Sequence, residues 1–218
     1  SEVRCVSPLA LPTGWSVVEL VSHGSSLGSG GSFFVHPGMW VSAVHPLLGP
    51  VAGGTRVILL GSNFSSSFSS YSCRFEESST AVVARYVSSD QLECATPVQS
   101  GAGSRLVEVS MNGQQYSESS VSFTYVGAAT VSSVWPERGA SEGGTAVTVH
   151  GANLAGVSEE LGYLQCRFNS TAVRAQLVSN ESAVCNSTAG AAGVVGVEVT
   201  TNGRDFSASG AQYELVSV

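Results

Sequence analysis

The chain has 218 residues, of which 43% are hydrophobic and only 11% charged, well under the about 25% usual for soluble domains. Its nine basic residues are all arginines, scattered from Arg4 to Arg204 against sixteen acids, and a net charge of -7 with no basic patch excludes a nucleic-acid groove. No apolar run reaches the ~20 residues a membrane helix requires and no basic-then-apolar leader is present, so direct membrane insertion is not expected and Ser1 reads as a mature or mid-protein start.

Along residues 1–38 come Cys5, Pro8, the alternating Val18-Glu19-Leu20, a His23-Gly24 step and Phe34. His tolerates the left-handed region better than most residues, so His23-Gly24 suits a type I′ turn between two strands. Gly24-Ser25-Ser26-Leu27-Gly28 matches the G-x-S-x-G of hydrolase nucleophile elbows, but that motif needs a strand-to-helix turn with Asp and His downstream. Here it opens a Gly/Ser-rich stretch with no helical period after it, and Gly28, Gly30 and Gly31 read as loop residues, not as a phosphate cradle. Residues 35–39 form a short linker.

Residues 39–127 contain short runs of Val, Ile, Leu and Tyr bounded by Gly, Ser and Asn clusters, with no helical period longer than a turn or two, which predicts strands. Val107-Glu108-Val109 alternates so that one face enters a core and Glu faces water. Asn112-Gly113 then offers the two positive-φ positions of a type I′ hairpin turn, and residues 126–130 form a second short linker.

Residues 128–218 repeat this framework at a shift of ninety. Val41-Ser42-Ala43-Val44-His45-Pro46 falls on Val131-Ser132-Ser133-Val134-Trp135-Pro136, Gly53-Gly54-Thr55 on Gly143-Gly144-Thr145, and Gly61-Ser62-Asn63 on Gly151-Ala152-Asn153. Cys73-Arg74-Phe75 meets Cys166-Arg167-Phe168, Cys94 meets Cys185, and the hairpin pair Asn202-Gly203 answers Asn112-Gly113. Residues 1–38 align with the second half of this unit, with Cys5 opposite Cys94 and Phe34 opposite Phe123. One disulfide per copy is therefore expected, Cys73 with Cys94 and Cys166 with Cys185, while Cys5 pairs with a residue outside the chain. About seven strands per copy, turn signals between them and a cysteine pair argue for an all-β chain of tandem immunoglobulin-like sandwiches.

The pattern V-x-x-V-x-P, G-G-T, G-x-N-F, C-x-F, L-x-C-x-x-P, N-G-x-x-Y-S and F-x-Y, complete from Val41 to Tyr125, resembles the IPT/TIG domain. The second copy departs from it at Leu154, Val184, Thr188 and Phe206, none of which touches the cysteine pair or the Asn-Gly step. The resemblance implies half a domain over 1–38 and whole ones over 39–127 and 128–218. Such domains occur in plexin and Met-type receptor stalks, fibrocystin-like surface proteins, some starch-processing enzymes and Rel-type transcription factors, so the likeness implies fold more than function.

Other side chains read as structural. His23, His36, His45 and His150 stand alone, no C-x-x-C knuckle is present, and Asp90, Asp205 and the pairs Glu76-Glu77 and Glu159-Glu160 do not cluster, so no metal or cofactor is expected. Trp40 and Trp135 are expected to pack at domain seams. Four N-x-[ST] sequons, at Asn63, Asn169, Asn180 and Asn186, join the cysteines in pointing to the secretory pathway and N-linked glycans. Three of the four lie in the second copy, which leaves the first barer for protein contacts.

These readings favour a non-enzymatic repeat segment of a secreted or cell-surface protein, adhesive or structural, with protein partners that include other copies or neighbouring repeats. The alternatives are a spacer in a plexin- or Met-like receptor stalk and an accessory domain of a carbohydrate-active enzyme. A transcription factor would need a basic loop surface and reduced cysteines.

Overall fold

Where apolar residues alternate with Ser, Thr and Arg the backbone extends and the apolar set turns to one side, as a period of two requires. The computed structural model describes residues 3–8, 11–68, 70–76, 80–155 and 162–217, and every regular element in them is a strand. Residues 1–39 and 40–218 form two units.

In the first unit β1 (Gly14–Ser22) and β2 (Ser25–Val35) pair antiparallel from Gly14↔Val35 to Ser22↔Ser25. His23 and Gly24 close the hairpin at φ +49° and +80°, both left-handed, as a type I′ turn demands. The G-x-S-x-G residues Gly24 to Gly28 lie at this turn and on β2, with no helix after them among the described residues. Trp15, Val17, Leu20 and Phe33 on the hairpin are exposed.

The second unit holds two sandwiches of one design. The first runs β3 (Trp40–His45), β4 (Leu48–Pro50), β5 (Arg56–Ser62), β6 (Tyr71–Phe75), β7 (Val82–Ser88), β8 (Gln91–Ala95), β9 (Gly103–Ser110) and β10 (Ser122–Val126), hydrogen-bonded in the order β3-β5-β8-β7-β6-β9-β10-β4. The opening strand switches layers at the cis His45–Pro46 bond: β3 pairs antiparallel with β5, and β4 pairs parallel with β10. Strand β7 joins the layers on the other side, pairing with β6 near its start and with β8 further on.

The second sandwich repeats this with β11 (Thr130–Trp135), β12 (Arg138–Ala140), β13 (Ala146–Ala152), β14 (Gln165–Phe168), β15 (Thr171–Ser179), β16 (Ser182–Asn186), β17 (Gly193–Thr200) and β18 (Ala211–Val216), ordered β11-β13-β16-β15-β14-β17-β18-β12. Here too the layer switch is a cis bond, Trp135–Pro136.

Each core is the set of inward residues. Val41, Val44, Val57, Leu59, Cys73, Phe75, Leu92, Val107, Val109, Phe123 and Tyr125 are all but fully buried in the first. The Phe75, Phe123 and Tyr125 rings meet edge to face with centroids 5.0–6.2 Å apart, a geometry worth about 0.5–1.5 kcal/mol per pair beyond area burial. Phe168 and Tyr213 repeat the contact at 5.5 Å in the second.

Disulfides join Cys73 to Cys94 and Cys166 to Cys185, linking β6 to β8 and β14 to β16 with Cα separations of 6.6 and 6.3 Å. The G-G-T motif has a backbone cause. Gly53 and Gly54 both take positive φ, Gly54 N–H donates to the Thr96 carbonyl at 2.7 Å, and Thr55 N–H donates to the Thr96 hydroxyl at 3.1 Å. Gly143, Gly144 and Thr145 repeat this on Ser187.

Candidate interaction surface

The Asn-Gly steps do not make the two-residue type I′ turn expected of them. Among the described residues, positive φ outside glycine is confined to His23, Asn63, Asn153 and Asn169, so only the second member of each step, Gly113 or Gly203, is left-handed. Strands β9 and β10 come into register only at Leu106↔Ser122, which makes the connection a wide loop. The Asn side chain organises that loop, as Asx turns do.

In the second sandwich, Asn202 Oδ1 accepts the backbone N–H of Arg204 at 3.0 Å and of Asp205 at 2.8 Å, and the Thr200 hydroxyl donates to it at 3.0 Å. Phe206 then lies against the Arg167 guanidinium, 4.1 Å from ring centroid to Cζ, while Arg167 also binds Glu198. The Ser207 hydroxyl accepts Val199 N–H at 3.0 Å, and Ser207 N–H returns to the Val199 carbonyl at 2.8 Å. The first sandwich repeats every part with Asn112, Tyr116 on Arg74 at 3.9 Å, Arg74 paired to Glu108, and Ser117 on Val109.

With Oδ1 committed to the loop, the Nδ2 of Asn202 is aimed outward, and it crosses to the first sandwich. It donates to the Leu48 carbonyl at 3.1 Å and to Asp205 Oδ2 at 2.7 Å. The same Asp205 oxygen accepts the Thr55 hydroxyl at 2.5 Å. Leu48, Thr55 and Asn202 are 1%, 0% and 3% exposed while Asp205 is half-buried, so the bond to the Leu48 carbonyl forms out of water, where an unmade one would cost about 1–3 kcal/mol.

Each sandwich serves as the other's control for this joint. Asn112, the counterpart of Asn202, is exposed, with its Nδ2 turned to Gln115. Arg138, the counterpart of Leu48, is exposed, and Thr145 is more open than Thr55. The loops are alike in both copies, and only the pair that faces a neighbour is buried.

The family match fits this two-module architecture. The IPT/TIG domain family matches residues 40–125 and 129–215. The chain belongs to the IPT/TIG family. Among solved structures it is similar to the extracellular region of plexin A4, at 21% identity and a TM-score of 0.52 over 83% of this chain. The FdeC adhesin of Escherichia coli is aligned at 15% identity and a TM-score of 0.36 over 93% of this chain and 74% of its own. The chain spans 16% of the plexin A4 chain.

The remaining sequence-marked residues lie at the surface of the two IPT/TIG modules and of the unit formed by residues 1–39. Asn63, Asn169, Asn180 and Asn186 are all exposed, as is the free Cys5. His23, His45 and His150 are exposed and His36 partly so; among the described residues no three metal-ligating side chains converge. Glu77, Glu159 and Glu160 lie outside the described residues, while Glu76 is exposed.

Trp135 does not pack at a seam. It stands 70% exposed at the end of β11, because the joint is built by the loop after β17 instead of by the corner at Pro136. Trp40 is 50% exposed at the start of β3.

Thr55, Leu48 and Asp205 are the residues that sequence reasoning missed as a site. The available signal was the replacement of Gln115 by Asp205 three residues after an otherwise repeated Asn.

Proposed function

We propose that the chain is a non-catalytic, extracellular run of IPT/TIG modules whose work is protein–protein assembly, as part of a longer repeat array in a secreted or cell-surface protein. The buried, hydrogen-bonded joint between the modules carries this reading. A four-atom network, buried at Leu48, Thr55 and Asn202 and half-buried at Asp205, sets one sandwich on the next, as an array that presents its surfaces in register requires.

Two disulfides persist only in an oxidising compartment, and the four exposed sequons are accessible to glycosylation there. The apolar side chains of the β1–β2 hairpin lack a covering layer among the described residues of their unit, in keeping with the second half of a further module whose first half carries the partner of Cys5. Glycans at Asn169, Asn180 and Asn186 shield part of the second module and leave the first, with Asn63 alone, barer for contacts there and at the junctions.

The receptor-stalk reading draws on the same joint, since a fixed seam also suits a spacer. An accessory carbohydrate site has less support: among the described residues Phe206 is the one aromatic along the groove beside the joint, and sugar clefts use several.

Beads in two colours, each coated with the glycosylated, oxidised chain, separate the readings. Mixed-colour clusters that grow with coating density support assembly. Dispersed beads at every density, with the joint intact, favour the spacer.

A further inference from the structure

The side chain that holds the joint, Asn202, is followed by glycine, and an Asn-Gly step carries a reaction of its own. Glycine has no Cβ to keep its backbone nitrogen away from the preceding side chain, so that nitrogen can close a succinimide ring on the Asn carbonyl carbon.

Around Asn202 the parts of this reaction are laid out. Its Oδ1 accepts the Thr200 hydroxyl at 3.0 Å and the N–H groups of Arg204 and Asp205 at 3.0 and 2.8 Å. All of these donors are aimed at the oxygen that gains negative charge when a nucleophile adds to Cγ, the arrangement of an oxyanion hole. The nucleophile is the Gly203 nitrogen, which is exposed and has no acceptor for its N–H among the described residues. In the first module the Gly113 N–H is instead held by the Ser110 hydroxyl at 2.9 Å.

The joint acts on the remaining atom, the nitrogen that must leave. Asn202 Nδ2 donates to the Leu48 carbonyl at 3.1 Å and to Asp205 Oδ2 at 2.7 Å, in a residue 3% exposed. Bonds from both amide hydrogens strengthen the conjugation of Nδ2 with the carbonyl and make it a poorer leaving group. Burial also keeps out the water that carries protons to and from the site.

We propose that Asn202-Gly203 is a spontaneous modification site, a deamidation latch that the closed joint restrains and whose product holds the joint open. The Gly203 nitrogen gives its proton to solvent base and bonds to Asn202 Cγ. The Cγ–Nδ2 bond breaks, and Nδ2 leaves as ammonia with a proton taken from water. Water then adds to either succinimide carbonyl, and the ring opens to aspartate or isoaspartate with no redox step.

Either product sets a carboxylate where the amide stood. It faces the Leu48 carbonyl oxygen and the Asp205 carboxylate with no hydrogen to share, so repulsion replaces the two bonds that Nδ2 had made. Isoaspartate also adds a methylene to the loop backbone. The change is one-way, so a joint that opens often becomes one that stays open. This goes beyond the assembly reading, because it depends on the joint and not on what the array binds.

The test incubates the oxidised whole chain in mildly alkaline buffer, digests it at acid pH and follows the Asn202 peptide by mass spectrometry, scoring aspartate and isoaspartate separately. Leu48→Arg opens the joint with the residue type that the second module carries at the same place, Arg138. Thr55→Val is a milder second variant that removes the hydroxyl tying Asp205 to the first module.

Conversion should run about tenfold faster in Leu48→Arg than in the unsubstituted chain, the ratio expected when the closed joint must open first. It should be severalfold faster in Thr55→Val, and isoaspartate should be among the products, since only the ring route makes it. Asn202→Asp installs one product directly and should unfold its modules in separate transitions at neutral pH. Equal rates with the joint closed and opened, aspartate without isoaspartate, or an Asn202→Asp chain that unfolds as the unsubstituted one does, overturn the proposal. Bead clustering decides the assembly reading separately, because the latch works equally in a spacer.

Discussion

Asp205 Oδ2 accepts the Thr55 hydroxyl at 2.5 Å and the Asn202 amide at 2.7 Å, so one carboxylate oxygen ties the loop of the second module both to itself and to the first module. The oxygen has a donor on each side of a domain boundary, one fixed by the backbone bonds between Thr55 and Thr96 and the other by an Asx turn. Removing Asp205 leaves both donors without this acceptor, whereas removing Thr55 or Asn202 leaves the carboxylate one donor short.

Asn202→Ala against Asn112→Ala therefore measures the joint by difference. Both substitutions lose the loop-organising bonds to Oδ1, but only the first also strips the Leu48 carbonyl and Asp205 of a buried donor. Asn202→Ala should be the more destabilising by about 1–3 kcal/mol in denaturant unfolding. It should also separate the unfolding of the two modules into distinct transitions. Equal losses would mean that the joint contributes nothing.

Tyr125 sets an alkaline limit on the first module. Burial pushes its phenol up to about 12, against about 10 in an unfolded chain. Above pH 10 the unfolded state ionises while the folded state keeps its proton, so the folded state then binds more protons and stability falls with rising pH. The contribution is fully present below pH 10 and is lost by pH 12. It amounts to about 3 kcal/mol for a two-unit displacement. Chemical denaturation at pH 9, 10, 11 and 12 should show this fall, and Tyr125→Phe should flatten the part due to this ring.

Reducing the module disulfides should cost each sandwich about 3 kcal/mol in the chain-entropy account, since the closed loops have separations of 21 and 19 residues. Cys73→Ala with Cys94→Ala should lower the unfolding midpoint of the first module and leave the second near its own. A matched fall in both would show that stability passes through the joint as well.

The module framework was legible because it depends on local chemistry that recurs. The G-G-T, the cysteine pair and the Val-x-x-Val-x-Pro corner each have a backbone or packing reason that holds in both copies. The joint was not legible, because Asn112 and Asn202 sit in the same motif, whose one marked change, Gln115 to Asp205, does not say what lies opposite. The Asn-Gly steps misled for a related reason: the dipeptide favours a type I′ turn when strands resume at once, yet the same Asn oxygen can instead cap two backbone N–H groups of a wide loop. Ser117 and Ser207, whose hydroxyls accept a strand N–H each, were the residues that marked the second outcome. Trp135 was misplaced because an aromatic at a domain corner was taken to be covered, when the covering loop arrives on the other side.

The paired glycines give a prediction that replicates itself. Gly53 and Gly54 have φ of +71° and +83°, so alanine at either meets the left-handed penalty of roughly 1–2 kcal/mol. Their surroundings differ: a Cβ on Gly53 would lie 2.6 Å from the Pro97 carbonyl carbon and 2.7 Å from the Thr96 oxygen, whereas one on Gly54 meets nothing within 4 Å. Gly53→Ala must therefore push β5 away from the segment after β8, and should cost about 1–3 kcal/mol more than Gly54→Ala. In the second module a Cβ on Gly143 would lie 2.6 Å from Ala189 N, while Gly144 is open, so the same order should appear there. Thermal unfolding of the four single variants checks both pairs. A Gly54→Ala loss as large as that of Gly53→Ala would place the cost in φ alone and remove the steric account of the motif.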